Sequence, residues 1–512
     1  MSGFRSVFSA GLVVACLVLV LNPASSTLRG GLIALYVVFL GSLVGGHATK
    51  ALADRVQLPL PTLLGMLLAG LALRNIPGVR DEIGRRVDGK TSAALRTAAL
   101  VLILCRAGLG LDMAALRRRR TAVLRLASLP CLCEAATIAG LAAALLDFPA
   151  AWAALLGFTV AAVSPAVVVP SLLSLQERGY GVKTGIPTMV VAAAALDDVF
   201  SIAGFGICLG FALPAAAEGG LLAGAITGTL ADALRAPVEL VLGLAAGAAA
   251  TLLLTWVYPI PAAAAAQKEA RKAADSGAAA GAVVAADDAM GRTKLLLLLA
   301  VAVAFGLKAL GLSGASALAT LTYAAGVAQR WGSGENAAVG EATVKAVGKI
   351  MGGLWSGTAQ PLLFGLLGAA VDLNSLTGRT VGRGIAMLLV SAAVRMCITA
   401  LAVSGEGLRR PELLFCALSW LPKATVQAAV GAIALDYAKT PLEVERGETV
   451  LAIAVLSIIA TAPLGAVLIA VYGPKLLLKD GDGGDGGGDG GGDGGGGSSA
   501  VAVPADEQKS TV

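Results

Sequence analysis

Long runs of apolar residues, separated by short polar breaks, recur along almost the whole chain. A helix needs about 20 such residues to cross the hydrocarbon core of a membrane. The pattern predicts about fourteen transmembrane spans, at residues 9–22, 30–53, 58–76, 91–113, 122–146, 151–176, 184–213, 235–258, 294–311, 313–331, 348–373, 381–403, 412–436 and 447–473. The first span is short, and it is read either as a retained helix or as a signal peptide. The chain is therefore predicted to be an all-α polytopic membrane protein.

The composition excludes a soluble globular protein, and the net charge does not indicate a nucleic-acid-binding one. Hydrophobic residues make up 57% of the chain and charged residues 14%, whereas soluble domains carry about 25% charged residues. The net charge of +6 calls for no nucleic acid partner, because Lys and Arg usually mark the cytoplasmic loops of membrane proteins. Their distribution predicts that both termini are cytoplasmic.

Two segments interrupt the apolar pattern. Residues 259–293 are rich in Ala with mixed charge, and they are predicted as the longest internal loop. Residues 480–512 begin with an almost pure run of Gly and Asp. That composition cannot bury apolar surface, so it predicts a disordered cytoplasmic tail behind a membrane unit of residues 1–479.

Two adjacent carboxylates, Asp197 and Asp198, stand at the centre of the span 184–213. A charge at mid-bilayer costs about 2.5–3.5 kcal/mol or more, so such residues usually mark function. Neighbouring positions on a helix point about 100° apart, so the two carboxylates cannot both face lipid. Carboxylate oxygens suit a hard cation, or a proton in its place. The pair is therefore a candidate cation and proton site.

Prolines interrupt the span 151–176 at Pro165 and Pro170. Each removes a backbone N–H from the helix, and two breaks within six residues favour an extended segment from Ser164 onward over an ordinary proline kink. Unwound backbone at this depth is tolerated only where it lines a cavity or meets protein. Its carbonyls are then available to a cation.

Pro422 interrupts the span 412–436 in the same way, and Lys423 follows it directly. The ammonium group is placed to offset the negative end of a broken helix. Glu134 and Arg395 are also central in their spans, and we expect them to pair with each other or with the aspartates.

The two interrupted spans are the sixth and the thirteenth, and the spans of Glu134 and Arg395 are the fifth and the twelfth. An offset of seven spans reverses the direction through the membrane. The pattern predicts inverted repeats formed by spans 2–7 and 9–14, with span 8 as a linker.

Several long motifs resemble those of the animal NHA-type (sodium/hydrogen exchanger 9B-like) sodium/proton antiporters, in the cation/proton antiporter superfamily. The similarity covers roughly residues 9–475. It is carried by the runs Leu63–Pro77, Arg106–Asp112, Ala162–Ser171, Leu196–Asp198, Gln360–Gly365 and Trp420–Gly431.

The resemblance implies an NhaA-like fold in a homodimer, with fourteen helices per subunit and the two interrupted helices crossing. It implies a transport domain of about residues 122–213 and 381–473 that slides as an elevator. The dimer domain would comprise about residues 30–113 and 294–373, and residues 235–258 would form the linker helix.

Carried over by matching motif, the resemblance also implies a site for Na+ or Li+. Glu134 and Arg395 match the family's buried acid and base, beside Lys423. The residues implied at the cation site are Asp197, Asp198, Ala162, Val163 and Ala194.

The sequence is thus interpreted as that of a secondary antiporter that exchanges Na+ or Li+ for H+ at one shared site, with no cofactor and no enzymatic activity. A symporter or channel of related architecture for another solute is the first alternative. An intramembrane aspartyl protease, suggested by Asp112 in Gly108–Asp112, is the second. The sequence does not decide whether the host membrane is the plasma membrane or an endosomal or mitochondrial membrane. The protein is expected to be surrounded by membrane lipid.

Overall fold

The computed structural model describes residues 26–84, 86–111, 119–213, 229–259, 280–333, 337–374 and 376–479. The predicted first span, the predicted tail and Asp112 lie outside these residues. The α-helices are α1 (Ser26–Val56), α2 (Thr62–Asn75), α3 (Gly89–Leu109), α4 (Arg120–Leu146), α5 (Ala150–Ala161), α6 (Pro165–Glu177), α7 (Ile186–Ala212), α8 (Thr229–Val257), α9 (Ala280–Ala309), α10 (Ser313–Trp331), α11 (Ala337–Leu354), α12 (Gln360–Ala370), α13 (Gly378–Ala402), α14 (Arg410–Ser419), α15 (Thr425–Val430), α16 (Ile433–Tyr437) and α17 (Pro441–Leu476).

In the part of the chain that the structure describes, nine helical segments are long and apolar enough to cross a membrane. These are Gly30–Val56, Gly89–Leu109, Arg120–Leu146, Ala150–Glu177, Ile186–Ala212, Val238–Val257, Ala289–Ala309, Gly378–Ala402 and Pro441–Leu476. The protein is an integral, multi-pass membrane protein. All the predicted spans after the first coincide with helical segments, but several of these segments are too short or too polar to count, so the structure does not confirm the total of fourteen.

The structure corrects one predicted boundary. Residues 259–293 were expected to form a loop, yet α9 already begins at Ala280. Half of the residues in its first turns, Ala280–Ala289, are Ala, which has the highest intrinsic helix propensity. The apolar pattern alone therefore placed the start of this helix too late.

The residue before α3 shows how a helix end is satisfied locally. The Asp88 side chain accepts hydrogen bonds from the backbone N–H and the hydroxyl of Thr91, each at 2.8 Å. The bond from the Thr91 N–H satisfies one of the backbone donors that the first turn of a helix leaves unpaired. The two bonds also hold the pKa of Asp88 below its ordinary value.

The helices pack as two groups. In one, α4 contacts α5, α7 and α13, while α17 contacts α6 and α14. In the other, α1, α2 and α12 pack together, and α10 packs against α3, α8 and α9. An ion pair joins the groups, since Arg96 Nη2 of α3 lies 2.6 and 2.8 Å from the carboxylate oxygens of Asp436 in α16.

Glycine allows α4 and α5 to approach closely. A Cβ atom on Gly157 of α5 would lie 2.3 Å from the carbonyl oxygen of Ala135 in α4. No real side chain tolerates that distance, so the absence of a side chain here brings α5 against the helix that carries Glu134.

Candidate functional site

The two interrupted helices meet at their breaks. Helix α5 ends at Ala161 and α6 begins at Pro165, while α14 ends at Ser419 and α15 begins at Thr425. The backbone N–H of Ser164 donates to the carbonyl oxygen of Pro422 at 2.7 Å. The two non-helical segments are thus in direct contact in the interior.

Only one of the two prolines in the first interrupted helix lies at its break. Pro165 is the first residue of α6, where its missing N–H costs no helical hydrogen bond. Pro170 was expected to extend the unwound segment, and that expectation is wrong, because α6 continues through it. A single lost bond near the start of a 13-residue helix bends a helix without ending it.

Glycine also permits the close contact at the second break. A Cβ atom on Gly465 of α17 would lie 2.2 Å from Cγ of Pro422. Any larger residue would push α17 away from the break between α14 and α15.

Arg395 of α13 connects both breaks and two carboxylates. Its Nη1 hydrogen-bonds Glu134 and the carbonyl oxygen of Ala161, the last residue of α5. Its Nε donates to the carbonyl oxygen of Trp420 at 2.8 Å, and its Nη2 lies 3.2 Å from both carboxylate oxygens of Asp197. One guanidinium therefore contacts two carboxylates and satisfies the carbonyl ends of two half-helices.

The ammonium of Lys423, which was expected to offset the end of a broken helix, pairs with an acid. Its Nζ lies 2.7 Å from Oε2 of Glu134. Its backbone N–H donates to the hydroxyl oxygen of Thr461 in α17 at 3.0 Å. The structure brings Glu134, Arg395 and Lys423 into one cluster, with side chains that are 0–2% exposed.

The two adjacent aspartates have different surroundings. Asp197 is completely buried, and its Oδ2 accepts the backbone N–H of Val163 at 2.6 Å in addition to its contacts with Arg395. Asp198 is 5% exposed, and its buried Oδ1 has no hydrogen-bond partner among the described residues. Ala194, one turn before Asp198, is also buried. Asp197 is held by protein groups, whereas Asp198 keeps an uncommitted oxygen.

Side chains also satisfy the carbonyl end of α5. The hydroxyl of Ser201 donates to the carbonyl oxygen of Phe158 at 2.6 Å. Nε2 of Gln427 donates to the carbonyl oxygens of Val160 and Ala162 at 3.1 and 3.0 Å. The Ala162 carbonyl, expected to face a cation, already accepts one hydrogen bond.

Sequence reasoning did not assign a role to Gln427, Thr461 or Ser201. A signal existed for Gln427, since it is a buried amide in the same mid-span run as Pro422 and Lys423. Hydroxyl side chains such as those of Thr461 and Ser201 are common in apolar helices, where they often bond their own backbone. Their pattern alone therefore gave no signal.

Comparison with known proteins places this chain in a family. Residues 39–265 match the family described as "Sodium/hydrogen exchanger, transmembrane". Human sodium/hydrogen exchanger 9B2 is 38% identical over 453 residues, which are 88% of this chain and 76% of that protein. Human sodium/hydrogen exchanger 9B1 is 35% identical, over 92% of this chain and 83% of its own length.

A solved structure shares the fold. The sodium proton antiporter MjNhaP1 from Methanocaldococcus jannaschii superimposes with a TM-score of 0.60 at 17% identity, covering 87% of this chain and 98% of its own. Because the human exchangers 9B2 and 9B1 are 38% and 35% identical over most of their length, the chain belongs to the sodium/hydrogen exchanger family.

Proposed function

We propose that the protein exchanges Na+ or Li+ for H+ across a membrane at one site formed by Asp197 and Asp198. Its relatives are named as sodium/hydrogen exchangers, and they are transporters rather than enzymes, with no need of a cofactor. The chain is therefore a transporter and not an enzyme. The identity of the ion and the location of its site are proposed from the geometry.

The uncommitted oxygen of Asp198 is the observation that carries the proposal. A buried carboxylate without hydrogen-bond partners is costly when ionised. A bound cation or a bound proton removes that cost, and both need the same oxygen. Cation and proton therefore compete for Asp198, and that competition couples their movements.

The balance of buried charge supports a monovalent ion. Glu134, Asp197 and Asp198 supply three carboxylates, and Arg395 and Lys423 supply two positive groups, so the cluster carries one net negative charge when all are ionised. One proton or one Na+ cancels that charge. A neutral cluster crosses a low-dielectric barrier at lower cost than a charged one.

The same balance favours an exchange of one cation for one proton. Arg395 does not deprotonate under physiological conditions, and Lys423 is paired with Glu134. Asp198 is then the group that alternates between proton and cation. The exchange should be electroneutral, so that the membrane potential does not drive it.

The packing of the helices supports an elevator movement. The group formed by α4–α7 and α13–α17 carries the charged cluster and would form the transport domain. The group around α1–α3 and α9–α12 would form the dimer domain of a homodimer, with α8 as the linker. The Arg96–Asp436 ion pair between the groups would break and re-form as they slide.

Cation-driven pH change in proteoliposomes tests the function. With the purified protein in vesicles that contain a pH-sensitive dye, an imposed Na+ or Li+ gradient should move protons in the opposite direction. A symporter would move protons with the cation, a channel would carry current, and a protease would do neither. Clamping the potential with K+ and valinomycin should leave the initial rate unchanged.

A further inference from the structure

Gln427 of α15 reaches from the second interrupted helix to the first. The residue is fully buried, and its Nε2 donates to the carbonyl oxygens of Val160 and Ala162. Its Oε1 has no hydrogen-bond partner among the described residues. The amide cannot be reversed, because its oxygen would then face two carbonyl oxygens. Among the described residues, this side chain therefore acts only as a hydrogen-bond donor, through its N–H groups.

One peptide bond links Gln427 to the candidate ion site. The carbonyl of the Ala162–Val163 peptide accepts from Gln427 at 3.0 Å, and the N–H of the same peptide donates to Asp197 at 2.6 Å. A peptide is planar and turns as a unit. If its carbonyl left Gln427, its N–H would also leave Asp197.

The contacts of Asp197 decide which oxygens remain for a cation. While Val163 and Arg395 hold Asp197, the adjacent Asp198 supplies an oxygen that has no hydrogen-bond partner among the described residues. If the peptide turned, Asp197 would lose a donor, and the Ala162 carbonyl would become an additional oxygen ligand. Selectivity between hard cations follows cavity size, ligand number and ligand flexibility.

We propose that Gln427 is a positioning residue that fixes the Ala162–Val163 peptide and thereby sets the affinity and the Li+ to Na+ preference of the transport site. This inference rests on the proposed exchange function. Gln427 does not need to touch the ion, because it acts through the peptide that holds Asp197.

The test replaces the amide by an apolar group of similar size. In proteoliposomes, Gln427→Met should change the KM for Na+ on the order of tenfold, the effect of leaving a buried carbonyl unpaired. The ratio of the KM values for Li+ and Na+ should also change, while the maximal rate stays close to that of wild type. Gln360→Met is the matched control, because Gln360 is a half-buried glutamine at the start of α12, in the other helix group.

The outcomes separate this inference from the function itself. If wild type and Gln360→Met show no exchange, the proposed function fails. If both exchange normally and Gln427→Met keeps both KM values and their ratio, Gln427 has no positioning role. A fall in maximal rate alone also overturns the inference, because a purely structural defect would produce it.

A second variant covers the case in which Gln427→Met does not fold. Gln427→Asn keeps both N–H donors on a side chain one methylene shorter, so it should alter the Li+ to Na+ ratio in the same direction but less strongly. Stabilisation of the purified protein against heat by Li+ and by Na+ gives the ratio without a transport assay. A wild-type ratio in that measurement contradicts the proposal.

Discussion

Nη2 of Arg395 lies 3.2 Å from both carboxylate oxygens of Asp197, while Nε of the same guanidinium donates to the carbonyl oxygen of Trp420. A single side chain therefore joins the candidate ion site to the break between α14 and α15. Because arginine keeps its proton under physiological conditions, this contact places a permanent positive charge beside the aspartates. The charge and the shape of the site thus depend on the same residue.

Arg395→Lys should destabilise the protein although it preserves the charge. An ammonium is a point donor and cannot reach two carbonyls and two carboxylates in the fixed fork of a guanidinium. At least one buried carbonyl loses its partner, which costs about 1–3 kcal/mol. Thermal unfolding in detergent should show a lower Tm than wild type. The control is Arg379→Lys, at an exposed position in the first turn of the same helix, and equal Tm values for the two variants would argue against the contacts described for Arg395.

The acidic limb of the pH profile of exchange should move in opposite directions when opposite charges are removed. In Glu134→Gln, Arg395 and Lys423 lose a shared negative partner. Asp198 then releases its proton more readily, so the pH of half-maximal exchange should fall. In Arg395→Gln, a positive charge is lost and that pH should rise.

The size of each shift should be on the order of one pH unit, which corresponds to 1.36 kcal/mol. Because Glu134 and Arg395 contact each other, the double variant should not show the sum of the single shifts. Initial rates of dye-reported proton movement between pH 6 and 9 provide the measurement. Shifts in the same direction, or strict additivity, would contradict a shared charge network.

Gly465→Ala should disturb the contact between α17 and the second break. The new methyl group would lie 2.2 Å from the ring of Pro422, and overpacking of this kind usually costs about 1–3 kcal/mol. The Tm and the exchange rate should both fall. Gly140→Ala is the matched control, since Gly140 of α4 is exposed and has no atom within 4 Å of the added group. If both variants behave alike, the close approach of Gly465 is not needed.

Periodicity and proline positions predicted the elements that matter for the site. The break at Pro165 and the break beside Pro422 follow from backbone chemistry, because a proline removes an N–H wherever it stands. At Pro170 the neighbouring residues decide whether the helix breaks: α6 has already begun at Pro165, and it continues through Pro170. The start of α9 at Ala280 was missed for a related reason, since an Ala-rich segment can be helical without a long apolar run.

The partners of the buried charges could be predicted only as a set of possibilities. Glu134 and Arg395 are 261 positions apart, and no local pattern fixes which buried acid meets which buried base. The cost of leaving either charge unpaired indicated that a partner exists. Two contacts could be found only from the packing of α14 and α15 against the first break. These are the contact of Lys423 with Glu134 and that of Gln427 with α5.

The central claim is that Asp198 is the carboxylate that exchanges a proton for a cation. The most direct measurement is proton flux driven by Na+ or Li+ in proteoliposomes that contain purified Asp198→Asn, in parallel with Asp147→Asn. Asp147 is an exposed residue with φ 53° after α4, a conformation that Asn accepts readily, so its variant should exchange as wild type does. We expect Asp198→Asn to keep the wild-type fold and to give no flux above that of protein-free vesicles, whereas flux at the wild-type rate would contradict the assignment of the site.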